Sequence, residues 1–97
     1  MKYLIKESQI KKFIWDYFNS EHYDIAEDEN EIFLLDDDGN FDWNYTFEDG
    51  RLLVANDIIV AIEGMFSISY DDALEYAGQW FEEKYGHFVE EIVNWDL

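Results

Sequence analysis

Ninety-seven residues, 48% hydrophobic and 20% aromatic, suffice for one core and not for two, so a single domain is expected over 1–97. Six Lys and Arg against 24 Asp and Glu give a formal charge of −18, which excludes direct nucleic-acid binding, because counterion release needs a cationic face. There is no Cys, which excludes disulfides and thiolate zinc sites, and no apolar run approaches the ~18 residues of a membrane span.

A chain this acidic and poor in hydrophobes would be disordered. Here eight Phe, seven Tyr and four Trp can build a core, each ring burying ~150–250 Å². In chain order, residues 1–6 read as a short strand. From 7 to about 19, Ile10, Phe13, Ile14, Tyr17 and Phe18 recur at i, i+3, i+4, i+7 and i+8, which predicts an amphipathic helix with Lys11 and Lys12 off its apolar stripe. Residues 20–30 are a polar connection in which Tyr23 and Ile25 can form a short extended piece. An apolar run over 31–35, an Asp-Gly turn at Asp36-Asp37-Asp38-Gly39-Asn40 and aromatic/polar alternation over 41–46 predict a hairpin, and the turn Glu48-Asp49-Gly50 leads to a further strand over 51–54. Alternation assigns Phe41, Trp43 and Tyr45 to the helix-covered face and Asp42, Asn44 and Thr46 to solvent, so that Asp42 joins an exposed acidic face.

Asn56 or Asp57 is placed to cap a helix running to about residue 65. Its Ile58, Ile59, Val60 and Ile62 also suit a strand, but helix is favoured. Ser69 with Asp72 forms a capping-box variant, Asp71 and Asp72 sit where the helix dipole favours anions, and Ala73, Leu74, Ala77, Trp80 and Phe81 form the inner stripe of a helix over 69–85 that Gly86 terminates. Residues 87–95 fit a helix through Phe88, Ile92 and Trp95 and a strand through Val89, Glu91, Val93 and Trp95, with helix preferred. No repeat or linker divides the chain. The expected class is α+β, an antiparallel meander of three to four strands packed against two to three helices.

Chemistry-bearing motifs are weak. An EF-hand loop with Gly39 at its sixth position would need ligands where Leu34 and Tyr45 stand, so Asp36, Asp37, Asp38 and Asp42 read as a solvated turn. Among 24 carboxylates, pairs with general acid–base spacing carry no information, His22 and His87 lack metal-type spacing, and no phosphate-binding Gly loop occurs. The reading is therefore non-enzymatic, with no cofactor and no metal. Asn44-Tyr45-Thr46 matches the glycosylation sequon but reads as coincidence, because the opening six residues are too short for the apolar region of a signal peptide and a cytoplasmic location is expected.

Eighteen formal charges match those on roughly 31 Å of duplex DNA. The acids that can build such a ribbon are Glu27, Asp28, Glu29 and Glu31 before the sheet, Asp36, Asp37, Asp38, Asp42, Glu48 and Asp49 within it, and Asp71, Asp72, Glu75, Glu82 and Glu83 on the 69–85 helix. Along that helix Asp71 and Glu75 rise ~6 Å apart, close to the spacing of neighbouring phosphates. A polyanion of this kind competes with nucleic acid for a basic protein site.

The opening Lys2-Tyr3-Leu4-Ile5-Lys6-Glu7-Ser8-Gln9-Ile10 resembles the start of many small proteins of tailed phages of the T4 group, which often begin Ile-Thr-Glu-Ser-Gln-Leu after Lys-Tyr or Lys-Arg. Lys6 stands at the Thr position of that pattern, so the helix cap falls to Glu7 or Ser8. In type, the small, cysteine-free, acidic and aromatic-rich chain resembles phage DNA-mimic proteins that block restriction enzymes or CRISPR effectors. That resemblance implies a viral, steric and stoichiometric inhibitor of host defence, acting in the host cytoplasm on a basic nucleic-acid-binding protein, with fast and salt-sensitive association. The alternatives are an acidic interaction module that binds one partner through exposed aromatics, and adaptation to high salt. The oligomeric state stays open, a dimer included.

Overall fold

The computed structural model describes residues 7–95. The expected strand over 1–6, and a cap from the Glu7 or Ser8 side chain, lie outside what it describes. Helix α1 (Glu7–Ser20) is followed by strands β1 (Asp24–Glu27), β2 (Glu31–Leu35), β3 (Phe41–Thr46) and β4 (Arg51–Ala55), helices α2 (Asn56–Phe66) and α3 (Tyr70–Tyr85), and strand β5 (Glu91–Trp95). The α+β class holds, and the meander is extended at both edges. β1, the short extended piece around Ile25, pairs with β2, and β5 pairs with β4 to complete a five-stranded sheet of order β1-β2-β3-β4-β5. The β4–β5 pair is parallel and the other three are antiparallel, as the connections require: short turns join antiparallel neighbours, whereas the α2–α3 crossover brings β5 in alongside β4.

The core is an aromatic stack between the sheet and one layer of helices. Register aligns Leu34, Trp43 and Val54 in one row and Ile32, Tyr45, Leu52 and Ile92 in the next, all on the helix side. Onto them α1 lays Ile14 and Phe18, α2 lays Ile59 and Ile62, and α3 lays Ala73, Ala77, Trp80 and Phe81. Trp43, fully buried, meets Phe18 at 5.2 Å and Trp80 at 5.0 Å between ring centroids. Phe13, placed on the α1 stripe by periodicity, is 48% exposed, while Trp15 packs inward edge-on to Tyr76. No helix among the described residues is long and apolar enough to cross a membrane.

Ser69 caps α3 as its spacing predicts, accepting the Asp72 N–H at 3.1 Å, and Gly86 closes it in the left-handed conformation with its N–H on the Glu82 carbonyl. Three expectations change. Residues 91–95 form a strand rather than a helix, because Ile92 pairs with Leu52 and packs against the core, contacts with distant residues that local periodicity cannot weigh. Neither Asn56 nor Asp57 caps α2. Ala55 holds the cap position without a side-chain bond, and the Asn56 Oδ1 instead accepts from the Tyr70 hydroxyl at 2.7 Å and the Asn94 amide at 3.3 Å, tying α2 to α3 and β5.

The third change is a β-bulge. Leu34 faces Trp43 but Leu35 faces Phe41, so Asp42 is the extra residue on β3. Phe41 is thereby turned to the side opposite Trp43, where it packs on Phe33 at 5.5 Å and Trp95 at 4.6 Å. That side is not the polar surface that alternation implies. Phe33, Leu53 and Val93 form one of its rows and Phe41, Ala55 and Trp95 the next, all half-buried among one another, while the helices' buried residues all belong to the core on the opposite side. Asn44 lies within this outer face, 6% exposed, with its amide donating to the Ile32 carbonyl; a sequon Asn buried in a sheet fits the reading of coincidence.

Candidate protein-binding surface

Each turn of the meander is closed by a carboxylate. Asp28 Oδ1 accepts the Asn30 and Glu31 N–H groups at 2.7 and 2.8 Å, Asp36 Oδ1 those of Asp38 and Asn40 at 2.9 Å, and Asp49 Oδ1 that of Arg51 at 3.2 Å. Such side-chain turns suit Asp because its short acceptor reaches the backbone two residues on, and ionisation strengthens the bond. Glu27, Glu29, Asp37, Asp38 and Glu48 stand exposed on the same turns. Part of the acidity therefore builds the sheet, and part is displayed by it.

Strand register gathers the displayed acids into two groups. Glu31 pairs with Thr46, and Thr46 with Arg51, while the Phe47 N–H donates to the Asn30 carbonyl at 3.0 Å, so Glu27, Asp28, Glu29, Glu31, Glu48 and Asp49 share one end of the strands. Glu90 and Glu91 join them through N–H bonds to the Gly50 carbonyl at 2.9 and 3.4 Å. Neither was legible while 87–95 read as helix; as a strand beside Arg51, the segment would have revealed both. At the opposite end lie Asp36, Asp37 and Asp38 with Asp42, joined by Glu21 and Asp57. The first of these two was read only as part of a connection and the second only as a cap.

Asp42 does not join an exposed acidic face. Placed at the bulge, it is half-buried, and burial, followed by the like charges of Asp36, Asp57 and Glu21, raises its carboxyl above the usual range. Two acids of α3 also leave the expected ribbon. Glu83 accepts the Trp15 indole N–H at 2.6 Å and pairs with Lys11 at 3.2 Å, and the indole bond first, then the Lys11 bond, holds its carboxyl below the usual range. Glu82 Oε1 accepts the Val89 N–H at 3.0 Å, closing the chain after α3. Asp71, Asp72 and Glu75 remain exposed on the first turns of that helix.

Cations offer little relief to this field. Lys11 is engaged by Glu83 and Arg51 by Glu91, each at 3.2 Å. Among the described residues no group of three or more His, Asp or Glu side chains is arranged to hold a metal ion. The hollow between α1, the start of β1 and α3, lined by Phe18, His22, Tyr23 and Tyr85, measures about 210 Å³, below the ~300–1,000 Å³ of small-molecule sites. No protein-family model, curated protein or solved structure matches this chain.

Proposed function

We propose that the protein is a non-enzymatic, nucleic-acid-mimicking binder that occupies the basic groove of a nucleic-acid-binding protein, such as a host defence nuclease, and excludes nucleic acid sterically. The observation that carries this reading is the gathering of carboxylates at both ends of the strands, where turns closed by Asp28, Asp36 and Asp49 carry the exposed Glu27, Glu29, Asp37, Asp38 and Glu48, with Lys11 and Arg51 already paired to Glu83 and Glu91. The turns closed by Asp28, Asp36 and Asp49 fix the backbone that carries the exposed acids, so less chain freedom is lost on binding than from open loops.

The reading is tested by immobilising the protein, passing bacterial lysate over it and eluting in parallel with a salt gradient and with excess double-stranded DNA. DNA is expected to release a basic nuclease or CRISPR component. A partner that resists both eluents would overturn mimicry. Replacing Glu27, Glu29 and Glu48 together by Gln removes charge without breaking the turn bonds made by Asp28 and Asp49, and weakened capture by this variant with a melting temperature equal to or above the parent's is the expected result.

A further inference from the structure

The outer face of the sheet is an aromatic platform with an acidic frame. Its centre is the ladder Phe33–Phe41–Trp95, running from β2 across β3 to β5. Trp95 reaches Phe41 over β4 because the residue between them is Ala55, whose methyl leaves the ring room to cross. Leu53 and Val93 continue the apolar surface along the sheet. Beyond it, at one end, come Glu31 and Glu91, with Arg51 held by Glu91, and at the other Asp24, on β1 opposite Leu35.

We infer that this face docks a partner segment in which apolar side chains alternate with Lys or Arg, the apolar groups lying on the ladder and the cations reaching the frame. Charge complementarity selects this occupant. A second copy would bring another formal −18 and the same carboxylates against their like, which disfavours a pair of identical faces. Area points the same way. Five strands spaced ~4.8 Å apart span ~19 Å, and two alternate rows extend ~14 Å, giving roughly 270 Å², well short of the ~800 Å² per partner of a stable interface. The apolar platform is thus the centre of a larger contact whose rim is carboxylate, the ordinary arrangement of hydrophobic core and polar surround. The inference rests on the basic-partner reading and adds where such a partner is anchored.

The test titrates the full chain calorimetrically with two short peptides of equal length and charge, one alternating Lys with Ile and the other Lys with Ser. The Lys–Ile peptide is expected to bind at least about tenfold more tightly and to keep its advantage in high salt. The double variant Phe33→Ser, Trp95→Ser should lose that advantage while binding the Lys–Ser peptide as before, and Leu53→Gln, a milder change in the middle of the face, guards against loss of folding. Equal binding of both peptides, unaltered in Leu53→Gln, would overturn the docking face and leave the basic-partner reading standing. Failure of both peptides to bind would overturn the two together. A dimer in sedimentation that Leu53→Gln dissolves would assign the face to a second copy and overturn the proposed occupant.

Discussion

Ser67 ends α2 at φ 53° and ψ 45°, a left-handed conformation that costs a residue with a Cβ roughly 1–2 kcal/mol. Ser67→Gly is expected to stabilise the protein by about 0.5–1 kcal/mol in urea unfolding, the gain from relieved strain being reduced by the greater freedom of glycine in the unfolded chain. Gly50 presents the opposite case. It has φ 65°, and a Cβ there would come within 3.0 Å of Glu90 Cβ and 3.2 Å of the Glu90 nitrogen, beside the carbonyl that anchors the approach to β5. Gly50→Ala should cost about 2 kcal/mol or more, read by the same measurement. Asp42 sets a pH dependence. Its folded carboxyl titrates above its unfolded value, so its contribution to stability is full below the unfolded value and is lost as pH rises through the folded one. Asp42→Asn is therefore expected to unfold at higher urea than the parent at neutral pH, with the difference disappearing below the ordinary carboxylate range.

Elements were legible where their signals are local. The Ser69 cap, the Gly86 stop and the Asp-Gly turn each act within a few residues, and the structure places each of them where the sequence does, whereas the alternation of 41–46 breaks at Asp42. What escaped depends on partners far along the chain. The bulge at Asp42 is a mismatch between β2 and β3 that neither strand contains by itself, and β5 is a strand because β4 offers it an open edge and the core receives Ile92. Asn56 illustrates the same limit, since its carboxamide looks like a helix cap and serves as a junction among three elements. Asn56→Ala should cost about 1–3 kcal/mol in urea unfolding, because the bonds from the Tyr70 hydroxyl and the Asn94 amide are both lost. A mere capping role would predict a loss near the lower end.

For the whole molecule, the sign of the surface was legible and its pattern was not. Composition gives −18, but which carboxylates close turns, which bind Trp15 or Val89 and which face outward follows from register and from the path after α3. Self-repulsion on this scale should make stability salt-dependent. As ionic strength rises from ~0.01 to ~0.15 M the screening length falls from ~30 to ~8 Å, and a rise of several degrees in melting temperature is expected by calorimetry. The parallel strand has a consequence for synthesis. Arg51 waits for Glu91, forty residues later, and at ~5–20 residues per second a ribosome needs roughly 2–8 s to deliver it. Throughout that interval the nascent meander carries an unfilled hydrogen-bonding edge on β4, and Trp95, which completes the aromatic ladder, has not yet been made. Completion of the sheet and assembly of the outer face are thus one event, so a partner that recognises the ladder meets only chains in which β5 has joined β4.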